Sequence, residues 1–177
     1  MPRDDAGVES VSQHLIVAAP ALGDPNFDGT VVFVVDHDDD GAIGVVVNRP
    51  TETPVATHLP ELAELVSSPD VFFRGGPVSP DHVIGVGRVG DKMLVVDLAA
   101  VEAGEERTDG LRLFAGYSGW GPGQLDTELI SGAWVVVDAF DGDVLGPKPG
   151  DLWRDVLRRQ GGATARLSLY PDSPSVN

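Results

Sequence analysis

The chain has 177 residues, with 28 acidic and 12 basic side chains, a formal net charge of −16 and no cysteine. That charge opposes the phosphate neutralisation on which nucleic-acid affinity rests, and the missing thiols exclude disulfides, thiolate chemistry and cysteine-ligated metal centres. A hydrophobic content of 42%, with 22 glycines and 14 prolines scattered between β-branched runs, describes one turn-rich globular domain built of short strands.

Residues 1–12 are polar and read as a frayed N-terminus ahead of a single domain over 13–177. The acidic start lacks the basic and apolar regions of a signal peptide, and no apolar run approaches the roughly 20 residues of a membrane helix. A cytoplasmic location without membrane contact is therefore expected. Residues 14–19, HLIVAA, form a buried strand stopped by Pro20, and 21–28 form a loop dense in turn residues. The β-branched runs 30–35 (TVVFVV) and 43–47 (IGVVV) predict a hairpin, with DHDDDG at 36–41 as connector. That connector matches the first half of a calcium loop, but Val47 stands where the loop's bidentate carboxylate belongs, so it is read as a turn.

Asn48-Arg49-Pro50 ends the second strand. Over 54–66, Leu59, Leu62, Leu65 and Val66 recur at helical spacing, with Pro60 placed in the first turn of one helix. A strand over 71–73 is closed by Arg74-Gly75-Gly76-Pro77-Val78, whose glycines permit a tight backbone path. Strands over 82–89 and 92–98 flank Gly90-Asp91, and a helical turn follows at 99–104.

A strand over 111–115 leads into GYSGWGPGQLDTEL, read as a glycine-dense turn carrying Tyr117, Ser118 and Trp120, then a helix over 122–130. Leu125, Leu129 and Ile130 would face the core. Gly116 to Trp120 resembles a nucleophile elbow, G-x-S-x-G, but Trp120 replaces the last glycine and all four histidines precede the serine. The same turn could seat an anion at the helix start, although it lacks a phosphate-loop lysine. A strand over 134–137 and a helix over 151–160 complete the order. That helix carries Leu152, Trp153, Val156 and Leu157 on one face, Asp155 paired with Arg159, and Gly161 at its end. Asp126 with Glu128 reads as a solvated carboxylate pair, and Lys148, Arg154, Arg158 and Arg159 as a solvated basic face rather than a nucleic-acid contact. Trp120, Trp134 and Trp153 read as core anchors. His14, His37, His58 and His82 do not stand at ligand spacing, so no metal and no cofactor is expected.

Strands interrupted by short helices, without regular βαβ alternation, predict an α+β fold. GYSGWGPGQLDTEL, RGGPV, NRP and the C-terminal PDSPSVN resemble the AlgH/YqgE family of bacterial proteins, whose name is linked to regulation of polysaccharide production. The resemblance implies a mixed, strongly curved sheet, a partial barrel, with three to four short helices packed against it. No complete catalytic set can be assembled from these residues, so a binding or regulatory module, such as a transcriptional regulator, without chemistry of its own is expected. The alternative is a hydrolase using Ser118, or a phosphate-handling enzyme using the 116–123 turn. The candidate binding residues are Tyr117, Ser118, Trp120, Gln124, Arg74, Asn48 and Arg49. A protein or small molecule is the expected partner in preference to nucleic acid, and the chain is expected as a monomer or homodimer.

Overall fold

The computed structural model describes residues 8–20 and 22–170. Among these, nine strands form in chain order: β1 (His14–Ala18), β2 (Val31–Asp38), β3 (Gly41–Val46), β4 (Pro50–Pro54), β5 (Val71–Arg74), β6 (Val78–Val89), β7 (Lys92–Val96), β8 (Leu111–Trp120) and β9 (Trp134–Asp138). The short helices are α1 (Val55–His58), α2 (Leu98–Glu102), α3 (Gln124–Ile130), α4 (Asp141–Leu145), α5 (Leu152–Gln160) and α6 (Gly162–Leu167). The fold is α+β, as the order of apolar runs predicts. Its sheet is mixed and open, running β4-β5-β8-β3-β2-β1-β9, with β6 and β7 branching from β8.

The β-branched runs form strands because both of their faces are buried, the condition under which strands read as continuous apolar stretches. On β1 and β2, Leu15, Val17, Val31 and Phe33 enter one core cluster, which the α5 residues Val156 and Leu157 also join. Ile16, Ala18, Val32 and Val34 enter a second cluster on the opposite face, with Leu125 of α3, Trp120 and Trp134. A third cluster joins Val55, Leu62, Phe72, Val101 and Leu111.

Strand β8 organises the sheet. It pairs with β5 in parallel (Arg74 opposite Ala115), with β6 antiparallel (Val83 opposite Ala115), and with β3 antiparallel (Gly44 opposite Ser118). Since Ala115 faces a partner on each side, β5 and β6 occupy opposite edges, and the chain between them has to pass across β8. At the other end of β8, Arg112 is buried and donates to the carbonyls of Val144, Gly146 and Ser68, while its guanidinium stacks over Phe73. Burial lowers its pKa to about 10. The guanidinium ties α4 to the sheet by occupying carbonyls at that helix's C-terminal end.

Several expectations are corrected. The segment 116–120 is not a turn: β8 runs through it to Trp120, and the turn is confined to residues 121–123. The connector 36–41 is mostly strand, with a bulge between Val34 and Asp36 and only Asp39 and Asp40 left at the tip, because His37 is buried in the sheet. The helix over 54–66 is split into α1 and a 3-10 turn at Pro60–Leu62, since the residue before a proline is driven out of the helical region and Leu59 sits at φ −131°, ψ 65°. Ile130 is 76% exposed instead of facing the core. Arg159 pairs with Asp143 at 2.7 Å, and Asp155 lies near Arg158 instead. Of the N-terminal segment, residues 8–12 are described: Val11 is buried, and its N–H donates to His37 Nδ1. The tail motif PDSPSVN and Ala21 lie outside the described residues.

Candidate functional site

The passage of RGGPV over β8 is a contact of backbone on backbone. A Cβ at Gly75 would lie 2.3 Å from Gly116 O, one at Gly76 would lie 2.3 Å from the Tyr117 carbonyl, and one at Gly116 would lie 2.6 Å from Gly76 O. Only glycine permits that approach, which accounts for Gly75, Gly76 and Gly116. Gly75 N–H donates to Ala115 O at 3.0 Å, and Val46 N–H donates to Gly75 O at 2.9 Å. The Ser118 hydroxyl donates to the same Gly75 carbonyl at 3.1 Å. Ser118 is therefore a buried clasp on the crossing strand, with no histidine or carboxylate partner among the described residues. This geometry removes the nucleophile-elbow reading, which requires an exposed serine at a strand end.

Beyond the crossing, the NRP turn organises the loop at 24–29. Asn48 Oδ1 accepts from Val31 N–H and Asn48 Nδ2 donates to Gly29 O, both at 2.9 Å. The Arg49 guanidinium donates to Asn26 O at 2.7 Å and to Asp28 O at 3.0 Å. Arg49 and Arg74 then line one cleft of about 520 Å³, walled by Pro25, Pro77, Pro80 and Thr51. Among its described lining residues there is no carboxylate. Arg74 is exposed, and its guanidinium has no hydrogen-bond or ion-pair partner among the described residues. Burial lowers the pKa of Arg49, and the like charge of Arg74 adds to that, against an opposing pull from Asp28. The Thr51 hydroxyl donates to Phe72 O at 2.7 Å and is not free for chemistry.

The remaining candidates do not reach this cleft. Tyr117 packs partly buried against the main core, and Trp120 stacks with Phe27 and meets Trp134 edge-on in the second. Gln124 Oε1 accepts from Gly121 N–H at 3.1 Å, so that side chain folds back on the turn ahead of α3. Asp126 and Glu128 are not a solvated pair. Asp126 Oδ1 lies 2.9 Å from His37 Nε2. Burial raises the Glu128 pKa, with Asp24 acting the same way and the indoles of Trp120 and Trp134 opposing. The basic residues of the C-terminal helices are likewise engaged, Arg159 with Asp143 and Arg154 with the carbonyls of Ser168 and Tyr170. Sequence reasoning missed the His37–Asp126 contact because it joins a strand tip to a helix 89 residues later, and neither residue stands in a recognisable pattern.

An open mixed-sheet α+β domain, in which one glycine-rich segment crosses another beside a two-arginine cleft, is thus the class that fold and site define. The family model described as AlgH-like matches residues 15–165. The chain belongs to that family. A UPF0301 protein of Streptomyces avermitilis is 47% identical over 96% of this chain and 97% of its own length. One of Mycobacterium leprae is 39% identical over 92% and 89%. Among solved structures, a Corynebacterium diphtheriae protein superimposes with a TM-score of 0.81 at 29% identity, covering 96% of this chain and 95% of its own. The AlgH protein of Pseudomonas aeruginosa does so with a TM-score of 0.70 at 26% identity, covering 97% and 98%.

Proposed function

We propose that this protein is a non-catalytic binding module that takes a small anionic ligand in the cleft between Arg49 and Arg74, its regulatory output following from that occupancy. The carrying observation is the Arg74 guanidinium, which has no partner among the described residues and shares a carboxylate-free cleft with a second guanidinium in a chain of net charge −16. Paired cations at one concave site are retained at an electrostatic cost that a bound anion offsets. The hydrolase alternative has lost its nucleophile, because Ser118 is buried and its hydroxyl is engaged with Gly75 O.

The test is a thermal-shift screen of organic anions against chloride at matched ionic strength, run on the wild type and on Arg74→Gln. A ligand present at 100 times its Kd adds about 2.7 kcal/mol of stability, which is several degrees in Tm for a domain of this size. At least one anion is expected to stabilise the wild type by that mechanism and to lose the effect in Arg74→Gln. If every anion shifts the two proteins equally, the cleft is not the binding site.

A further inference from the structure

We infer that the group bound between Arg49 and Arg74 is the dianionic phosphate of a small phosphomonoester, an assignment that rests on the binding reading above and narrows it. Two guanidiniums meet one volume, and among the described residues no carboxylate lines it. A monocarboxylate would neutralise one of the two cations, whereas a phosphomonoester carries about −1.5 to −2 charges at pH 7 and presents three acceptor oxygens. The two arginines are prepared differently for such a group. Arg49 is fixed by donating to Asn26 O and Asp28 O, which leaves its other N–H groups directed by a set frame. The Arg74 guanidinium donates to nothing among the described residues, so its whole planar fork is available for paired hydrogen bonds to phosphate oxygens.

Size and wall chemistry make the ligand an organic ester instead of the bare ion. The cleft of about 520 Å³ lies in the range of small-molecule sites, and Pro25, Pro77, Pro80 and Ala115 supply apolar surface beside the charges. Polymers are disfavoured by the molecule's field. A nucleic acid would extend its remaining phosphates over the surface of a chain with 28 acidic and 12 basic side chains, whereas a small ester places its charge in the cleft alone.

The experiment is isothermal titration of phenyl phosphate and of benzoate at pH 7.5 and fixed ionic strength. Phenyl phosphate is expected to bind at least roughly 10-fold tighter than benzoate, as paired charge-assisted bonds to a dianion require. Arg74→Gln is expected to weaken phenyl phosphate at least roughly 10-fold, Arg74→Lys to fall between, and the exposed Arg107→Gln to leave affinity within about 2-fold. Affinity is also expected to drop as pH falls through about 6, where the ester takes up a proton. Unchanged urea midpoints would show that each variant is folded. Benzoate binding as tightly as phenyl phosphate, with both lost in Arg74→Gln, overturns the phosphate assignment and leaves the anion-binding reading standing. Equal losses in Arg74→Gln and Arg107→Gln overturn the cleft itself. A 5′-phosphorylated oligonucleotide that binds tighter than phenyl phosphate overturns the small-molecule assignment, and release of inorganic phosphate during titration overturns the non-catalytic reading.

Discussion

At Gly76 the backbone holds φ +154°, and a methyl group there would lie 2.3 Å from the Tyr117 carbonyl carbon and oxygen. Neither neighbour is the end of a flexible side chain, so relief requires moving β8 or the crossing segment. Gly76→Ala is expected to destabilise the protein by about 3 kcal/mol or more, combining overpacking of roughly 1–3 kcal/mol with a backbone conformation that L residues avoid. Gly90 provides the control: it holds φ +65° with nothing within 4 Å of an added Cβ. Gly90→Ala should therefore cost only the conformational part, about 1–2 kcal/mol. Urea denaturation midpoints of the two variants decide the matter. Equal costs would mean that the crossing yields easily, and the close approach would no longer explain Gly75, Gly76 and Gly116. Ser118 belongs to the same contact, since its hydroxyl and the Val46 N–H share the Gly75 carbonyl.

Helix α3 brings Leu125 and Leu129, within seven residues, to the second core cluster and sets Asp126 against His37. His37 accepts the Val11 N–H at Nδ1, which places the ring hydrogen of the neutral form on Nε2, facing Asp126. One side chain thus joins the N-terminal segment, the tip of β2 and α3. His37→Ala and Asp126→Ala are expected each to cost about 1–2 kcal/mol and, combined, to show a coupling of at least about 0.5 kcal/mol. Strict additivity in that double-mutant cycle would show that the contact does not dock the helix. The strands of the main sheet were legible because burial on both faces leaves a continuous apolar run, as in TVVFVV. The path of β8 was not, because Gly116, Ser118 and Gly119 are ordinary turn residues; pairing with β3, distant in sequence, continues the strand through Ser118 and Gly119. β4, α4 and α6 were missed for a related reason. PTETP carries prolines, and in DGDVL the local cap, Asp143 accepting the Phe140 N–H, is joined by the distant Arg159–Asp143 pair. The candidate site was half legible: RGGPV and NRP pointed to Arg74 and Arg49, but their meeting around one cleft depends on the crossing.

Across the whole molecule, charge works against the compact state. With 28 acidic and 12 basic side chains, the folded chain holds excess negative charge close together, and the Arg159–Asp143 ion pair, of which only Asp143 is buried, offsets only a local part of that repulsion. The Debye length falls from about 30 Å at 0.01 M salt to about 3 Å at 1 M, so added salt screens repulsion between distant carboxylates before it weakens a buried contact. Raising NaCl from 10 mM to 500 mM is therefore expected to increase stability by about 1 kcal/mol, or about 2–4 °C in Tm for a chain of this length. A stabilisation caused by chloride occupying the two-arginine cleft would look similar in a single melt. It is separated by repeating the series with Arg74→Gln, which leaves the global charge nearly unchanged while removing the unpartnered cation. A parallel rise in both proteins identifies long-range repulsion as the cause. A rise confined to the wild type identifies anion occupancy, and a fall in both means that ion pairs outweigh repulsion in holding this sheet together.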